Sequence, residues 1–291
     1  MVSSALLLIS CGPGSTSPPR PPTSSAAAEV ESETSPAAAG MPQRATPETA
    51  DDLASRCEGG ELAACTELSG VLRDGRGIAP DLDRSAALAQ RACDADRVHG
   101  CVSLARTYAR GVGDRDALGL AAVRLSRACN DDGNADACSG LGMLYEGGGG
   151  VRRAPERAMM LYSQGCDGGS GLGCLNLGQA FVLGRSVPQD LERALPFLER
   201  ACDGGEPLGC YNLGVMRASG QGGEASHEGA ADLFERACEG DLSQGCVNFG
   251  VLLSQGRGRP RDDGRAVTLF RRACRSGHLG GCVSLGRMME S

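Results

Sequence analysis

Fifteen cysteines, three histidines and no lysine bound the chemistry open to this 291-residue chain. Fourteen of the cysteines fall into seven pairs: Cys57 with Cys65, Cys93 with Cys101, Cys129 with Cys138, Cys166 with Cys174, Cys202 with Cys210, Cys238 with Cys246, and Cys274 with Cys282. Six pairs are eight positions apart and one is nine. Paired thiols can hold a metal or bond to each other. Structural zinc sites favour C-x2–4-C spacing with further ligands nearby; no such run occurs, and neither does the haem-attachment signature C-x-x-C-H. Serine hydrolases of the S-x-x-K type need a lysine close to the nucleophile. All 29 basic side chains are arginine, so that motif and K-T-G are excluded. Metal-assisted hydrolysis needs clustered histidines, whereas the spacing puts His99 and His278 in loops five repeats apart and His227 before a helix. A Ser–His pair stays open, but no spacing selects one. No catalytic, cofactor or metal residue is therefore assigned.

The cysteines also reveal what must position them. Each pair begins 36 positions after the last, apart from one 37-residue step from Cys129 to Cys166. That step contains the stretched pair, so a single inserted loop residue explains both departures. After the second cysteine comes an apolar ladder, as in Cys138, Leu141, Gly142 and Tyr145, whose i, i+3, i+4, i+7 spacing marks one stripe of a helix, A. A Gly-rich connection follows (EGGGGVRRAP, LGRSVPQD, QGRGRPRDD). A second periodic segment, helix B, then runs to the next first cysteine (DLERALPFLERAC, DDGRAVTLFRRAC). Acids at its front (Asp190, Glu228, Asp262) and arginines in its last turn (Arg200, Arg236, Arg272) suit the helix dipole. Gly168, Gly204 and Gly240 are expected to be left-handed C-caps. Small residues at Gly142 and its equivalents in A, and at Ala158, Ala194, Ala230 and Ala266 in B, admit close helix packing. A two-helix unit cannot bury its apolar stripe alone, so the units must stack. The expectation is an all-α, right-handed α/α solenoid of about 14 helices, from a B-type helix near Thr49–Arg56 to an A-type helix near Gly281–Glu290.

Composition limits the alternatives. A formal charge of −7 and a pI near 5.1 argue against nucleic acid as a partner. With no tryptophan and 3% aromatic residues the core is thin, since small side chains each bury little area at ~25 cal/mol per Å². Fourteen paired cysteines suit an oxidising compartment. The C-x7-C spacing joins the end of one B helix to the start of the next A helix, within reach of a disulfide. We expect all seven pairs to be bonded within themselves.

The chain divides into three segments. Residues 1–11 contain a short apolar run, Ala5–Ile9, and the sequence LISC at Leu8–Cys11, which resembles a bacterial lipobox. Lipidation of Cys11 accounts for the odd fifteenth cysteine; the alternative is an untranslocated, disordered tail. Residues 12–46, rich in Pro, Ser, Ala and Thr, read as a disordered tether. Residues 47–291 carry the repeats. No run approaches the ~20 apolar residues of a membrane-spanning helix, so contact with a membrane is expected only through a lipid anchor, and Gly12 after Cys11 points to the outer one.

The run LGMLYEGGGGVRRAPERAMMLYSQGCDGG, Leu141–Gly169, resembles the Sel1-like repeat, an α/α relative of the tetratricopeptide repeat. The cysteine pair in every unit, C-x7-C in six and C-x8-C in one, is similar to that of the Hcp-type cysteine-rich members of that family. The resemblance spans about Pro47 to Ser291, although the Tyr of helix A (Tyr108, Tyr145) becomes Phe181 and Arg217 in later units. It implies an interaction scaffold in which helix A lines a concave face. As an alternative it implies weak β-lactamase or penicillin-binding activity, for which the residues offer no S-x-x-K. Two positions after the second cysteine stand Asn176, Asn212 and Asn248, with Ser103 and Ser284 in the same register. Stacking aligns these amides on one surface, where they either meet a ligand's backbone or bond a neighbouring repeat's loop. The expectation is a monomeric, exported, periplasmic scaffold binding a protein, peptide or cell-wall ligand, without a cofactor.

Overall fold

Thr49 opens the repeat array. Its Oγ1 accepts from the Asp52 N–H at 3.2 Å, and the Asp52 carboxylate accepts from the Thr49 N–H at 3.1 Å, a reciprocal pair that satisfies two otherwise orphaned donors. The computed structural model describes residues 49–290; Cys11, the lipobox-like run and the tether lie outside them. The chain partitions between Thr46 and Pro47, and everything below concerns the second unit.

Fourteen α-helices and no strand occur among the described residues. In chain order they are α1 (Ala50–Glu58), α2 (Leu62–Asp74), α3 (Leu82–Asp94), α4 (Val98–Tyr108), α5 (Arg115–Asn130), α6 (Ala135–Gly147), α7 (Pro155–Asp167), α8 (Gly171–Leu183), α9 (Leu191–Asp203), α10 (Pro207–Ser219), α11 (His227–Glu239), α12 (Ser243–Gln255), α13 (Asp263–Arg275) and α14 (Leu279–Glu290). Even-numbered helices are type A and odd-numbered ones type B, and each packs chiefly on its two chain neighbours, except α4, which meets α6 more extensively than α5. Successive A helices also touch one another, as α4 does α6, more than successive B helices do. The A helices therefore occupy the inner side of the solenoid's curve.

The inner surface can be this tight because glycine recurs where the next B helix crosses. A Cβ added to Gly142, Gly178, Gly214 or Gly250 would stand 2.7–2.8 Å from the side chain of Tyr162, Leu198, Phe234 or Phe270, respectively. Those four large residues occupy one register of helix B and are at most 3% exposed. The first unit holds Ser69 at the glycine position, opposite the small Ala89, and the second holds Ala105 there, opposite Leu125. Size on one helix thus complements size on the other, as close-packed interiors require. The B-helix alanines Ala158, Ala194, Ala230 and Ala266 are at most 1% exposed.

Each cysteine pair is bonded within itself. Cys57 is joined to Cys65, Cys93 to Cys101, Cys129 to Cys138, Cys166 to Cys174, Cys202 to Cys210, Cys238 to Cys246, and Cys274 to Cys282, with Cα atoms 4.5–4.8 Å apart. Every bridge spans the loop from a B helix to the following A helix, so Cys65, Cys246 and Cys282 lie in the first turns of α2, α12 and α14. The stretched loop from Cys129 to Cys138 reaches a similar separation, 4.8 Å. Its extra residue is absorbed ahead of Asn134, whose side chain accepts from the Ala137 N–H and caps α6.

The expectation for the B-helix glycines is corrected by one position. Gly168, Gly204 and Gly240 have φ of −77°, −76° and −78°, because their N–H groups still donate to carbonyls four residues back. The left-handed residue is the next one: Gly169, Gly205 and Asp241. The arginines of the last B turn do more than complement their own helix. Arg236 donates to the Cys202 carbonyl of the preceding unit at 3.1 Å and to Asp203 at 3.0 Å. Arg200 reaches back to Cys166 and Asp167 in the same way, so these cations tie consecutive units together.

Candidate functional site

The inner face begins with the asparagine register. Asn176, Asn212 and Asn248 are all half-buried on α8, α10 and α12. Asn176 Nδ2 donates to the Leu172 carbonyl of its own helix at 2.9 Å, and Asn248 lies near the hydroxyl of Tyr211 on the preceding A helix. Among the described residues the Asn212 amide makes no hydrogen bond. None of the three bonds a neighbouring loop. In the same register the second unit has Ser103 and the third Gly140.

That glycine changes the geometry. A Cβ on Gly140 would lie 3.3 Å from Val102 Cγ2 and 3.4 Å from Val102 Cα, so an asparagine here would push α4 away from α6. In its absence α4 settles against α6, and an interlocked polar cluster fills the first two units. Ser69 Oγ lies 3.0 Å from Ser85 Oγ and 2.9 Å from Ser103 Oγ, and Ser85 Oγ lies 3.0 Å from Thr107 Oγ1. All four side chains are at most 5% exposed, and every hydroxyl has a partner, as burial demands.

Charges line the rim of this cluster. Arg73, 6% exposed, grips Asp74 with two bonds of 2.9 and 2.6 Å and donates to Ser103 Oγ at 3.3 Å. Arg110 reaches the same Asp74 at 3.3 Å. Burial disfavours ionised Asp74, but the bond from Arg73 and the charges of Arg73, Arg106 and Arg110 outweigh it and hold the carboxyl below its ordinary range. Burial also lowers the Arg73 guanidinium, opposed by Asp74. Arg76 lies alongside: its Nη2 and that of Arg73 are both within 4 Å of where a Gly70 Cβ would stand. The Arg76 Nε is buried without a hydrogen-bond partner among the described residues.

Arg106 makes the longest-range contact of the cluster. Its Nη1 and Nη2 donate to Glu206 Oε1 and Oε2 at 2.8 and 3.0 Å across 100 residues of sequence. Burial opposes the Arg106 charge, yet Glu206, with Asp74 and Asp136 near, raises its pKa. Glu206 occupies the N-cap of α10 but makes no capping bond there. Its side chain packs on Gly171, whose added Cβ would meet Glu206 Cγ at 3.1 Å.

Sequence reasoning selected the asparagines and missed this charged cluster. The signal was present: Arg106 stands where other units carry Gly70, Met143, Gln179, Val215, Val251 and Arg287, and an arginine inside the array, in a mostly small or apolar register, asks for a partner. The histidines need correcting in place. His99 lies within the first turn of α4 rather than in a loop, and His227 is the first residue of α11 rather than before it. His278 does precede α14, where its Nδ1 accepts from the Gly281 N–H at 3.3 Å. Among the described residues no hydrogen bond joins a serine to a histidine, no group of three or more His, Cys, Asp or Glu could hold a metal ion, and no helix is long and apolar enough to cross a membrane.

Two-helix units, a glycine seat in most A helices and a staple between units together define an α/α repeat solenoid built as a scaffold. Residues 62–96, 135–170, 171–206, 207–242 and 243–278 match the Sel1 repeat. These stretches make up more than half of the chain, which belongs to the Sel1 repeat family. Residues 97–134, holding α4 and α5, fall outside the matches. Among solved structures, a Sel1 repeat protein from Oxalobacter formigenes is 22% identical, with a TM-score of 0.58 over 82% of this chain and 68% of its own. A protective antigen of uropathogenic Escherichia coli displaying an SLR fold is 22% identical, with a TM-score of 0.56 over 83% of this chain and 52% of its own. The chain thus spans about half the length of that antigen. The Helicobacter pylori cysteine rich protein B is 27% identical over 47% of this chain and 98% of its own, with a TM-score of 0.37. No curated protein matches the chain.

Proposed function

We propose that this protein is an exported, non-catalytic scaffold that binds a peptide or protein segment along its inner A-helix face. One observation carries the reading: that face presents half-buried amides and paired charges that the stacking of neighbouring units does not require, whereas the helix crossings of the regular units are apolar and complete. Repeat solenoids use such extended concave surfaces for binding, and Sel1 repeats generally serve protein–protein interaction. Seven disulfides support export to an oxidising compartment. A lipid anchor at Cys11 in the outer membrane extends the proposal, with the monomer as the working unit.

The full chain probed against an array of unstructured peptides tests the reading. Peptides that bind are expected to protect α8, α10 and α12 from hydrogen exchange. They should also lose affinity on the combined replacement Asn176→Ala, Asn212→Ala and Asn248→Ala, with the thermal midpoint little changed. Binding that survives the triple replacement and protects only B helices would overturn it.

A further inference from the structure

Resting on the scaffold reading, we propose that the arginine cluster at the ends of α2 and α4 anchors a carboxylate of the bound peptide. In the unliganded chain Glu206 occupies that anchor and holds the inner face closed.

The Arg106–Glu206 pair is not part of the stacking pattern. It joins α4 to the start of α10, three units further on, while the regular contacts join neighbouring helices. An A-helix residue can reach so far only across the inside of a curve. The pair therefore spans the groove that a ligand would enter. Glu206 stands at the N-cap of α10 and makes no side-chain capping bond, as Glu61, Arg97 and Leu242 make none on α2, α4 and α12, so its carboxylate is left to Arg106. Asn134 and Ser170, in the same position of the two preceding A helices, both make the capping bond.

The surroundings are arranged for an anion. Arg73, Arg76, Arg106 and Arg110 bring four cations together, against Asp74 and Glu206 in direct ion pairs and Asp136 nearby. The whole chain carries −7, so this local excess is not a by-product of a basic protein. The Arg76 Nε, buried without a partner, is a donor that the closed arrangement leaves unused, and an unmade buried hydrogen bond costs free energy. A guanidinium presents a planar fork matched to a carboxylate. Glu206 displays that match in place: two parallel bonds of 2.8 and 3.0 Å. An incoming Asp, Glu or C-terminal carboxylate can make the same two bonds. Exchange of one carboxylate for another leaves the arginine paired throughout, so opening does not strand a buried charge. The ligand class is thus an acidic peptide segment, and its binding is coupled to release of α10 from α4.

Fluorescence anisotropy and small-angle scattering on the full chain separate the parts of this proposal. The probe is a short labelled peptide alternating Glu and Ala, with a matched peptide alternating Gln and Ala. Glu206→Gln removes the internal competitor and is expected to tighten binding of the Glu peptide about tenfold, or ~1.4 kcal/mol, while increasing the radius of gyration. Arg106→Gln is expected to increase the radius of gyration similarly but to weaken binding at least as much. Arg76→Gln should weaken binding without altering the dimensions. Equal affinity for the Glu and Gln peptides, or no gain with Glu206→Gln, would overturn the carboxylate anchor while leaving the scaffold reading intact. A phosphopeptide preferred over the Glu peptide by Glu206→Gln would overturn the choice of carboxylate. Failure of every arrayed peptide to bind would instead remove the scaffold reading on which the anchor rests.

Discussion

The four units from α6 to α13 and the unit of α4 and α5 share one plan and differ in detail, and that difference shapes the molecule. In the regular stretch all the A helices have 13 residues and end at a left-handed glycine: Gly148, Gly184, Gly220 and Gly256, with φ between 64° and 77°. The helix α4 has 11 residues and ends at Ala109 with φ −59°, and α5 extends to 16. The regular units put a glycine under a large B-helix side chain; the atypical one puts Ala105 there, and Gly140 on α6 instead lets α4 approach. Both regions keep the same cysteine staple. The staple and the seat thus define a unit, while small residues on the inner face decide how sharply one unit turns on the next. At the sharp turn the chain meets itself through Arg106 and Glu206.

This comparison can be broken at several points. The largest effect is expected from removing a staple. Cys202→Ser with Cys210→Ser should cost roughly 2–3 kcal/mol by the loop-closure estimate, measured by denaturant unfolding. The same change at Cys93 and Cys101 should cost a similar amount, because the loop is equally short. If only one of the two pairs mattered, the staple would not be a common part of the plan.

Next comes the seat. Gly214→Ala sets a methyl 2.8 Å from the Phe234 ring and should cost about 1–3 kcal/mol by overpacking. The equivalent Gly286→Ala on α14 meets nothing within 4 Å and should be neutral or stabilise by up to about 1 kcal/mol through helix propensity. Equal thermal midpoints for the two variants would discard the seat.

A smaller change sharpens the turn. Gly140→Ala adds a methyl 3.3 Å from both Val102 Cγ2 and Leu125 Cδ1, a strain offset in part by helix propensity. Stability should shift by less than about 1 kcal/mol, yet the radius of gyration should rise as α4 moves off α6. Unchanged scattering would show that something other than Gly140 sets the curvature.

The smallest effect concerns pH. The Asp74 carboxyl is held below its ordinary value of 3.8, so the folded state binds its proton less readily than the unfolded one. Its contribution is present above pH 3.8 and fades as pH falls through the lower folded value. The difference in thermal midpoint between the natural chain and Asp74→Asn should therefore shrink on acidification and be constant above about pH 5. A difference that grew towards low pH would contradict the Arg73–Asp74–Arg110 arrangement.

Much of the fold was legible because its information is local. The cysteine spacing marks the units, and the apolar stripe and acidic fronts mark the helices. The bonded partners are also near neighbours in sequence, as Cys238 and Cys246 are, or Cys274 and Cys282. The one-residue error at Gly168, Gly204 and Gly240 has a local cause: composition places a turn near a glycine, but the last backbone hydrogen bond decides which residue turns left-handed. The binding face was less legible. The asparagine register runs through three successive units and so is visible, whereas Arg73 has no counterpart in other units, Arg106 recurs only at Arg287, and Arg76 recurs at Arg185 and Arg257 as one Gly-Arg turn among others. Nothing along the chain relates Arg106 to Glu206.

By itself the sequence determined the unit, the number of helices, the staples and the type of residue at each crossing, because all of these depend on contacts within a unit or to the next one. The tertiary structure alone decided that the first units bend until the end of α4 meets the start of α10. Curvature is the sum of small rotations between units, each set by packing at positions such as Gly140 and Val102. A sum of that kind has no signature at any single residue.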